Sequence, residues 1–260
     1  MNHRFFIILS YQGTNYHGWQ IQENASTVQG KLQNALSLVL KEDIPVTGAG
    51  RTDTGVHASY MVAHFDSSGD FSSIELTEKL NSFLGADISI HKILEVPNDA
   101  HARFDAASRT YTYLVNRKKN PYLEHLSSYI YGDINMTAMN EAAAVLPGFN
   151  DFTSFSKLHS NNKTNICTIK NAKWVEKGDF MVFTICADRF LRNMVRALTA
   201  FMIDAGRGIV AAREISKILE ARDRSLFTKT APAQGLYLSR IEYPQKYKLP
   251  DVIQKEFPFL

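Results

Sequence analysis

The order of apolar segments constrains most strongly what this chain can fold into. In the first hundred residues, helical patterns with apolar side chains three or four positions apart alternate with strand patterns. The strand patterns lie at 4–11, 44–47, 56–65 and 88–96, and the helical patterns, which start at Thr27 and at Ser72 or Ser73, run to about 40 and 84. The order is therefore β-α-β-β-α-β, which is the split βαβ or ferredoxin-like arrangement.

The rest of the chain repeats this order. Strands are predicted at 110–115, 166–175, 180–187 and 236–243, and helices at 136–146, 190–205 and 212–221. We therefore predict an α+β protein with two ferredoxin-like halves, 1–105 and 106–244, and a tail at 245–260. Their antiparallel sheets are expected to join edge to edge, with helices on one face and an active-site cleft between the halves.

Composition and charge exclude several classes of protein. A chain of 260 residues with 45% hydrophobic residues can bury a sizeable core. No apolar run reaches the eighteen or so residues that span a bilayer, and Cys167 and Cys186 fit neither a disulfide framework nor a zinc site. A cytoplasmic protein is therefore predicted. The net charge of +3 says little, but arginines in the glycine- and aromatic-containing segments permit a polyanionic partner.

A glycine-rich loop at 48–55, with the sequence GAGRTDTG, contains the most distinctive polar pattern. Glycine permits a left-handed backbone and a close approach to a ligand, so this loop can present Asp53 with Arg51 nearby. A dinucleotide site is excluded because the third glycine of that motif would fall at Asp53, whose carboxylate would repel a pyrophosphate. From the loop alone, Asp53 is a nucleophile, a general base or a structural partner of Arg51.

Several segments taken together, in their order and spacing, resemble the tRNA pseudouridine synthase A family. The resemblance covers residues from about 4 to 244. The segments that carry it are YQGTNYHGWQ at 11–20, the loop at 48–58, HARFDA at 101–106, SRTYTY at 108–113, DFTSF at 151–155, FLRNMVR at 190–196 and APAQGLYL at 231–238.

The resemblance implies isomerisation of uridine to pseudouridine at positions 38, 39 and 40 of the tRNA anticodon arm. By this resemblance, Asp53 is the nucleophile. It attacks either C1′ of the sugar or C6 of the base, and the sequence leaves that choice open. Tyr111 stacks on the target base and helps to move the C5 proton, and Arg196 pairs with the aspartate. Arg51 helps to displace or hold the flipped nucleotide, and Leu236 lines the uracil pocket.

Further substrate contacts are predicted for four residues: His57, Arg103, Arg109 and Arg192. His57 also fits a structural role, because the chemistry does not require a histidine. The resemblance implies a homodimer and no metal or organic cofactor, since the reaction is a redox-neutral rearrangement. The chain departs from the common family pattern at Thr54, Met61 and Asn193.

Two other functions stay open at this point. One is a non-catalytic RNA-binding module on the same fold, because fold does not fix function. The other is a glycoside hydrolase or nucleosidase that uses Asp53. Such enzymes usually need a second carboxylate, and none stands beside Asp53 in its loop.

Overall fold

A computed structural model describes residues 2–157 and 164–249. They form two compact units, of which the first contains residues 2–107 and 238–249 and the second contains the described part of 108–237. Both units combine antiparallel strands with helices, so the predicted α+β class is confirmed. The edge-to-edge joining of two ferredoxin-like sheets and the cleft between them stay predictions, as does the division at 105/106 and 244/245.

The first unit contains the six predicted elements in the predicted order. They are β1 (His3–Tyr11), α1 (Val28–Leu40), β2 (Thr47–Gly48), β3 (His57–Ser67), α2 (Ser73–Phe83) and β4 (Ile88–Val96). In its sheet, β1 lies between β3 and β4, and β2 pairs with β3, all antiparallel. The extended piece predicted at 44–47 is a strand of only two residues, shifted towards the glycine loop.

Burial and capping explain why these segments form these elements. Consecutive side chains of β1 from Phe6 to Leu9 are fully buried, so both faces of this strand are covered. Helix α1 buries one stripe of side chains, and Thr27 caps it by accepting a hydrogen bond from the amide of Gly30 at 3.3 Å. Ser72 caps α2 in the same way through the amide of Glu75. The predicted helix starts are thus confirmed.

The second unit repeats the order with added short elements. They are β5 (Ser108–Asn116), β6 (Ser128–Tyr129), α3 (Met136–Val145), β7 (Ile169–Lys177), β8 (Phe180–Ala187), α4 (Met194–Gly206), α5 (Glu214–Ala221) and β9 (Leu236–Glu242), along which the chain returns to the first unit. Strand β8 lies between β5 and β7, antiparallel to both. Trp174 stacks on Phe183 in the core, with ring centroids 5.0 Å apart.

The predicted start of α4 at Phe190 is wrong. The helix begins at Met194, because Asn193 has a φ of 65° and adopts a left-handed conformation that cannot continue a right-handed helix. All residues of α4 except Arg196 are buried, which explains the strongly apolar sequence of this segment.

Residues that follow β9 pack on the first unit. The rings of Tyr243 and Tyr247 lie 5.5 and 5.3 Å from the ring of Phe6. The hydroxyl of Tyr243 donates to the carbonyl of Ala102, and that of Tyr247 donates to Asp105. Of the predicted tail, 245–249 belongs to this packing and 250–260 lies outside the described residues. Within residues 2–157 and 164–249, no helix has both the length and the apolar composition needed to cross a membrane.

Candidate active site

The loop between β2 and β3 in the first unit carries Asp53. Asp53 is half-buried, whereas its neighbours Arg51 and Thr54 are exposed and Thr52 is buried. The backbone turns tightly just after the aspartate, because the amide of Val56 donates to the carbonyl of Asp53 at 3.1 Å and Gly55 has a φ of 76°. The loop is therefore a defined turn and presents Asp53 next to the exposed Arg51.

A second segment of the first unit, residues 11–19, holds this loop on both sides of the aspartate. Before Asp53, the hydroxyls of Tyr11 and Thr52 are 2.9 Å apart, and the amide of Trp19 donates to the carbonyl of Thr52 at 3.2 Å. After it, the amide of Gly55 donates to the carbonyl of Tyr16 at 3.2 Å. The backbone on either side of Asp53 is thus fixed by groups distant in sequence, which restricts where its carboxylate can lie.

Glycines make this close approach possible. Gly18 has a φ of 88°, and a Cβ atom there would lie 2.4 Å from the carbonyl oxygen of Thr52. A Cβ on Gly13 would lie 2.0 Å from the carbonyl oxygen of Val56, so any side chain at either position would push the loop away. The sequence shows residues 12–20 as a polar loop that carries two glycines, and the family resemblance includes the segment 11–20. The sequence did not predict that these two glycines face the backbone of the Asp53 loop.

His57 follows the loop at the start of β3. It is 1% exposed, and its Nδ1 accepts a hydrogen bond from the amide of Gly13 at 3.0 Å. The imidazole therefore carries no proton on Nδ1 and ties the same two segments together. This contact fits the structural role given above, and a substrate contact by His57 stays a prediction.

Tyr111 lies in β5 of the second unit, half-buried, with its ring edge-on to that of Phe190 at 5.2 Å and 89°. Tyr113, two residues on, is fully buried and donates its hydroxyl to the carbonyl of Pro232 at 2.9 Å; burial raises the pKa of this phenol. Of these two tyrosines, which share a strand face, Tyr111 is the one with ring surface left to contact a ligand.

Arg196 and the segment 231–236 hold each other within the second unit. The Nε of Arg196 donates to the carbonyl of Ala231 at 2.7 Å, and the amide of Ala231 donates to the carbonyl of Arg196 at 2.9 Å. A Cβ on Gly235 would lie 2.6 Å from the Tyr113 ring, and the next residue, Leu236, is 5% exposed. The structure thus brings Arg196, Tyr113 and the segment before β9 into one neighbourhood.

Asp204 is the one acidic residue of α4, and it pairs with a lysine outside the helix. Its carboxylate accepts a hydrogen bond from Lys229 at 2.6 Å in an ion pair. Asp204 lies eight positions, or about two helical turns, after Arg196, which is too far along the helix for a direct ion pair.

The remaining predicted residues lie in both units. Arg109 donates to the carbonyl of Asp188 at 2.8 Å, Arg192 is exposed, and Arg103 is exposed with its guanidinium 5.9 Å from the Phe104 ring centroid. Their contacts with substrate stay predictions. Among the departures, Met61 is fully buried in β3 and Thr54 is exposed. In the described part of the chain, no group of three or more His, Cys, Asp or Glu residues is placed to hold a metal ion.

Comparison with known proteins identifies close relatives of this chain. A family profile described as tRNA pseudouridine synthase matches residues 7–105 and 142–244. A protein named tRNA pseudouridine synthase A from Bacteroides thetaiotaomicron is 49% identical over 245 residues, which cover 93% of this chain and 91% of the relative. Proteins of the same name from Limosilactobacillus reuteri and Vibrio parahaemolyticus are 41% and 38% identical, over 93% and 96% of this chain and 97% and 95% of those relatives.

Proposed function

This chain belongs to the tRNA pseudouridine synthase family, and on that premise we propose that it isomerises uridines 38, 39 and 40 in the tRNA anticodon stem-loop, with Asp53 as the nucleophile. The observation that carries the residue assignment is the bracing of the Asp53 loop. Hydrogen bonds on Thr52 and on Gly55 fix the backbone on both sides of a half-buried carboxylate. Such constraint suits a side chain that must attack one atom of a bound nucleotide.

In the proposed reaction, the ionised carboxylate of Asp53 forms a bond to C1′ of the ribose or C6 of the uracil of the target nucleotide. The glycosidic C–N bond breaks, the uracil turns, and a C–C bond forms between C1′ and C5. Loss of the C5 proton and release of the carboxylate give pseudouridine, with no change in redox state. The nucleophile must stay ionised, and a guanidinium favours the charged form, which is the role proposed for Arg196.

Other residues are proposed to bind the flipped nucleotide. Removing a uridine from its stack costs a few kcal/mol, and one aromatic platform returns about 1–3 kcal/mol. Tyr111 is suited to that platform because its contact with Phe190 sets the direction of a ring that is still partly open. Leu236 contributes apolar surface for the uracil, and the exposed Arg51 contacts the nucleotide or its phosphate.

The aspartate assignment is tested by Asp53→Asn, which keeps the shape of the side chain and removes the nucleophilic charge. We expect no tritium release from tRNA labelled with tritium at uridine C5, with unchanged circular dichroism and tRNA affinity. Asp70→Asn, the same change at an exposed aspartate of the first unit, is the matched control and should retain full activity. Normal tritium release by Asp53→Asn would refute the assignment of Asp53 as the nucleophile.

Tritium release and the detection of free uracil separate the proposed function from its two alternatives. A non-catalytic RNA-binding module would bind tRNA without releasing tritium, and a nucleosidase would release free uracil, which chromatography detects. Mapping pseudouridines in tRNA from cells with and without this protein tests the positions. Modified uridines outside 38–40 would contradict that part of the proposal.

The partners follow from the same premise. We propose a cytoplasmic homodimer that binds the anticodon arm mainly through shape and phosphate contacts. Light scattering of the full chain, alone and with tRNA, tests the dimer, because a monomer in both conditions would contradict it.

A further inference from the structure

The turn at residues 101–105 of the first unit carries Phe104 on its outside. Phe104 is 75% exposed, more than Phe83, the other exposed phenylalanine of the described residues, at 55%. Single exposed apolar side chains are ordinary on protein surfaces, so exposure alone indicates nothing. The surroundings of Phe104 are what distinguish it.

Hydrogen bonds fix the backbone that carries this ring. The carboxylate of Asp105 accepts from the amide of His101 at 2.7 Å and from the hydroxyl of Tyr247 at 2.6 Å. The Nδ1 of His101 faces the amides of Arg103 and Phe104 at 3.1 and 3.3 Å and accepts from them. A ring on this turn therefore loses little backbone freedom when it binds a partner.

The ring also has an aromatic and a cationic neighbour. The imidazole of His101 lies 4.2 Å from the Phe104 ring centroid at 35°, and the guanidinium carbon of Arg103 lies 5.9 Å from the same centroid. Burial and the nearby charge of Arg4 lower the pKa of His101, which favours a neutral ring at that contact. An open aromatic ring beside an arginine matches what an unpaired nucleotide presents, a base face and a phosphate.

We propose that Phe104 is a stacking platform for an unpaired base of the tRNA substrate, with Arg103 contacting a neighbouring phosphate. The identity of the RNA rests on the proposed function, whereas the stacking contact is tested by binding alone. The competing occupant is a protein surface, such as a second copy of this chain, and the experiment distinguishes the two.

The test measures the Kd of full-length variants for unmodified tRNA at one fixed salt concentration, each in the Asp53→Asn background to prevent turnover. Phe104→Ala should raise Kd about tenfold, which corresponds to about 1.4 kcal/mol. Phe104→Trp should keep the affinity within about twofold because it still stacks, whereas Phe104→Leu should behave like alanine. The matched control, Phe83→Ala, should leave Kd unchanged.

Salt dependence separates the two side chains. Arg103→Gln should reduce the slope of log Kd against log salt by about one charge, whereas Phe104→Ala should leave the slope unchanged. Full affinity in Phe104→Leu would refute stacking, and an unchanged Kd in Phe104→Ala would refute any contact. Dissociation of a dimer by Phe104→Ala, seen by light scattering, would overturn the proposal in favour of a protein interface. Turnover by Asp53→Asn would refute the nucleophile and leave these binding comparisons standing.

Discussion

The hydrogen bond between Tyr11 and Thr52 links the stability of the first unit to the geometry of its candidate nucleophile. The two oxygens are 2.9 Å apart, and the residues are 4% and 7% exposed. Tyr11→Phe removes one oxygen and keeps the ring, which lies 6.0 Å from that of Trp19. It leaves the Thr52 hydroxyl buried without this partner, which costs about 1–3 kcal/mol of the free energy of unfolding.

The effect on catalysis follows because Thr52 precedes Asp53. A displacement of about 1 Å at a reacting group can lower a rate about a hundredfold, so a loosened loop should lower kcat about 10- to 100-fold. KM for tRNA should change little, since both hydroxyls are buried and neither is offered to a ligand by this bond. Tritium release at saturating tRNA gives kcat, and urea unfolding gives the free energy.

A double-mutant cycle with Thr52→Val tests whether the pair acts as one unit. The double variant should be less impaired than the sum of the single variants, with a coupling of about 0.5–3 kcal/mol in both unfolding and activation free energy. Tyr247→Phe, which loses another hydroxyl hydrogen bond of the first unit, should lower stability and keep kcat. If Tyr11→Phe were destabilised but fully active, or if kcat showed no coupling, the bond would serve folding alone.

Two further predictions concern the first unit and a glycine of the second. Burial lowers the pKa of His64 to about 4 from 6.5. The neutral imidazole therefore stabilises the folded state fully above pH 6.5, and this stabilisation is lost as pH falls towards 4. The loss in the free energy of unfolding is at most about 3 kcal/mol. Urea unfolding across this range should show the loss, and His64→Asn, which keeps an acceptor for the amide of Ala102, should remove it. Gly18→Ala should lower both stability and kcat, because the new Cβ would lie 2.4 Å from the carbonyl oxygen of Thr52. Gly132 has a similar φ of 89°, but a Cβ added there would meet no atom within 4 Å. Gly132→Ala should therefore cost only the backbone strain, about 1–2 kcal/mol, and should not change kcat. Equal losses in both variants would refute the steric argument.

The secondary structure could largely be predicted from the sequence, because it depends on interactions between near neighbours. Apolar periodicity gave the order of strands and helices, and the hydroxyls at Thr27 and Ser72 marked two helix starts. The extent of β2 and the start of α4 were exceptions. Asparagine tolerates the left-handed conformation found at Asn193 but does not require it. The local sequence therefore does not show that the helix begins only after this residue.

For the candidate site, the sequence by itself identified Asp53 in a glycine-rich loop, and the family resemblance added Tyr111, Arg196 and Leu236. It did not identify what holds the loop. Tyr11 and Thr52 are separated by 41 positions. His57 lies 44 positions from Gly13, whose amide donates a hydrogen bond to it. Such contacts depend on how β1 and β3 pair and on where glycines let two backbones meet. The spacing of apolar residues within one segment predicts neither. The tertiary structure alone decided that the aspartate sits on a braced turn.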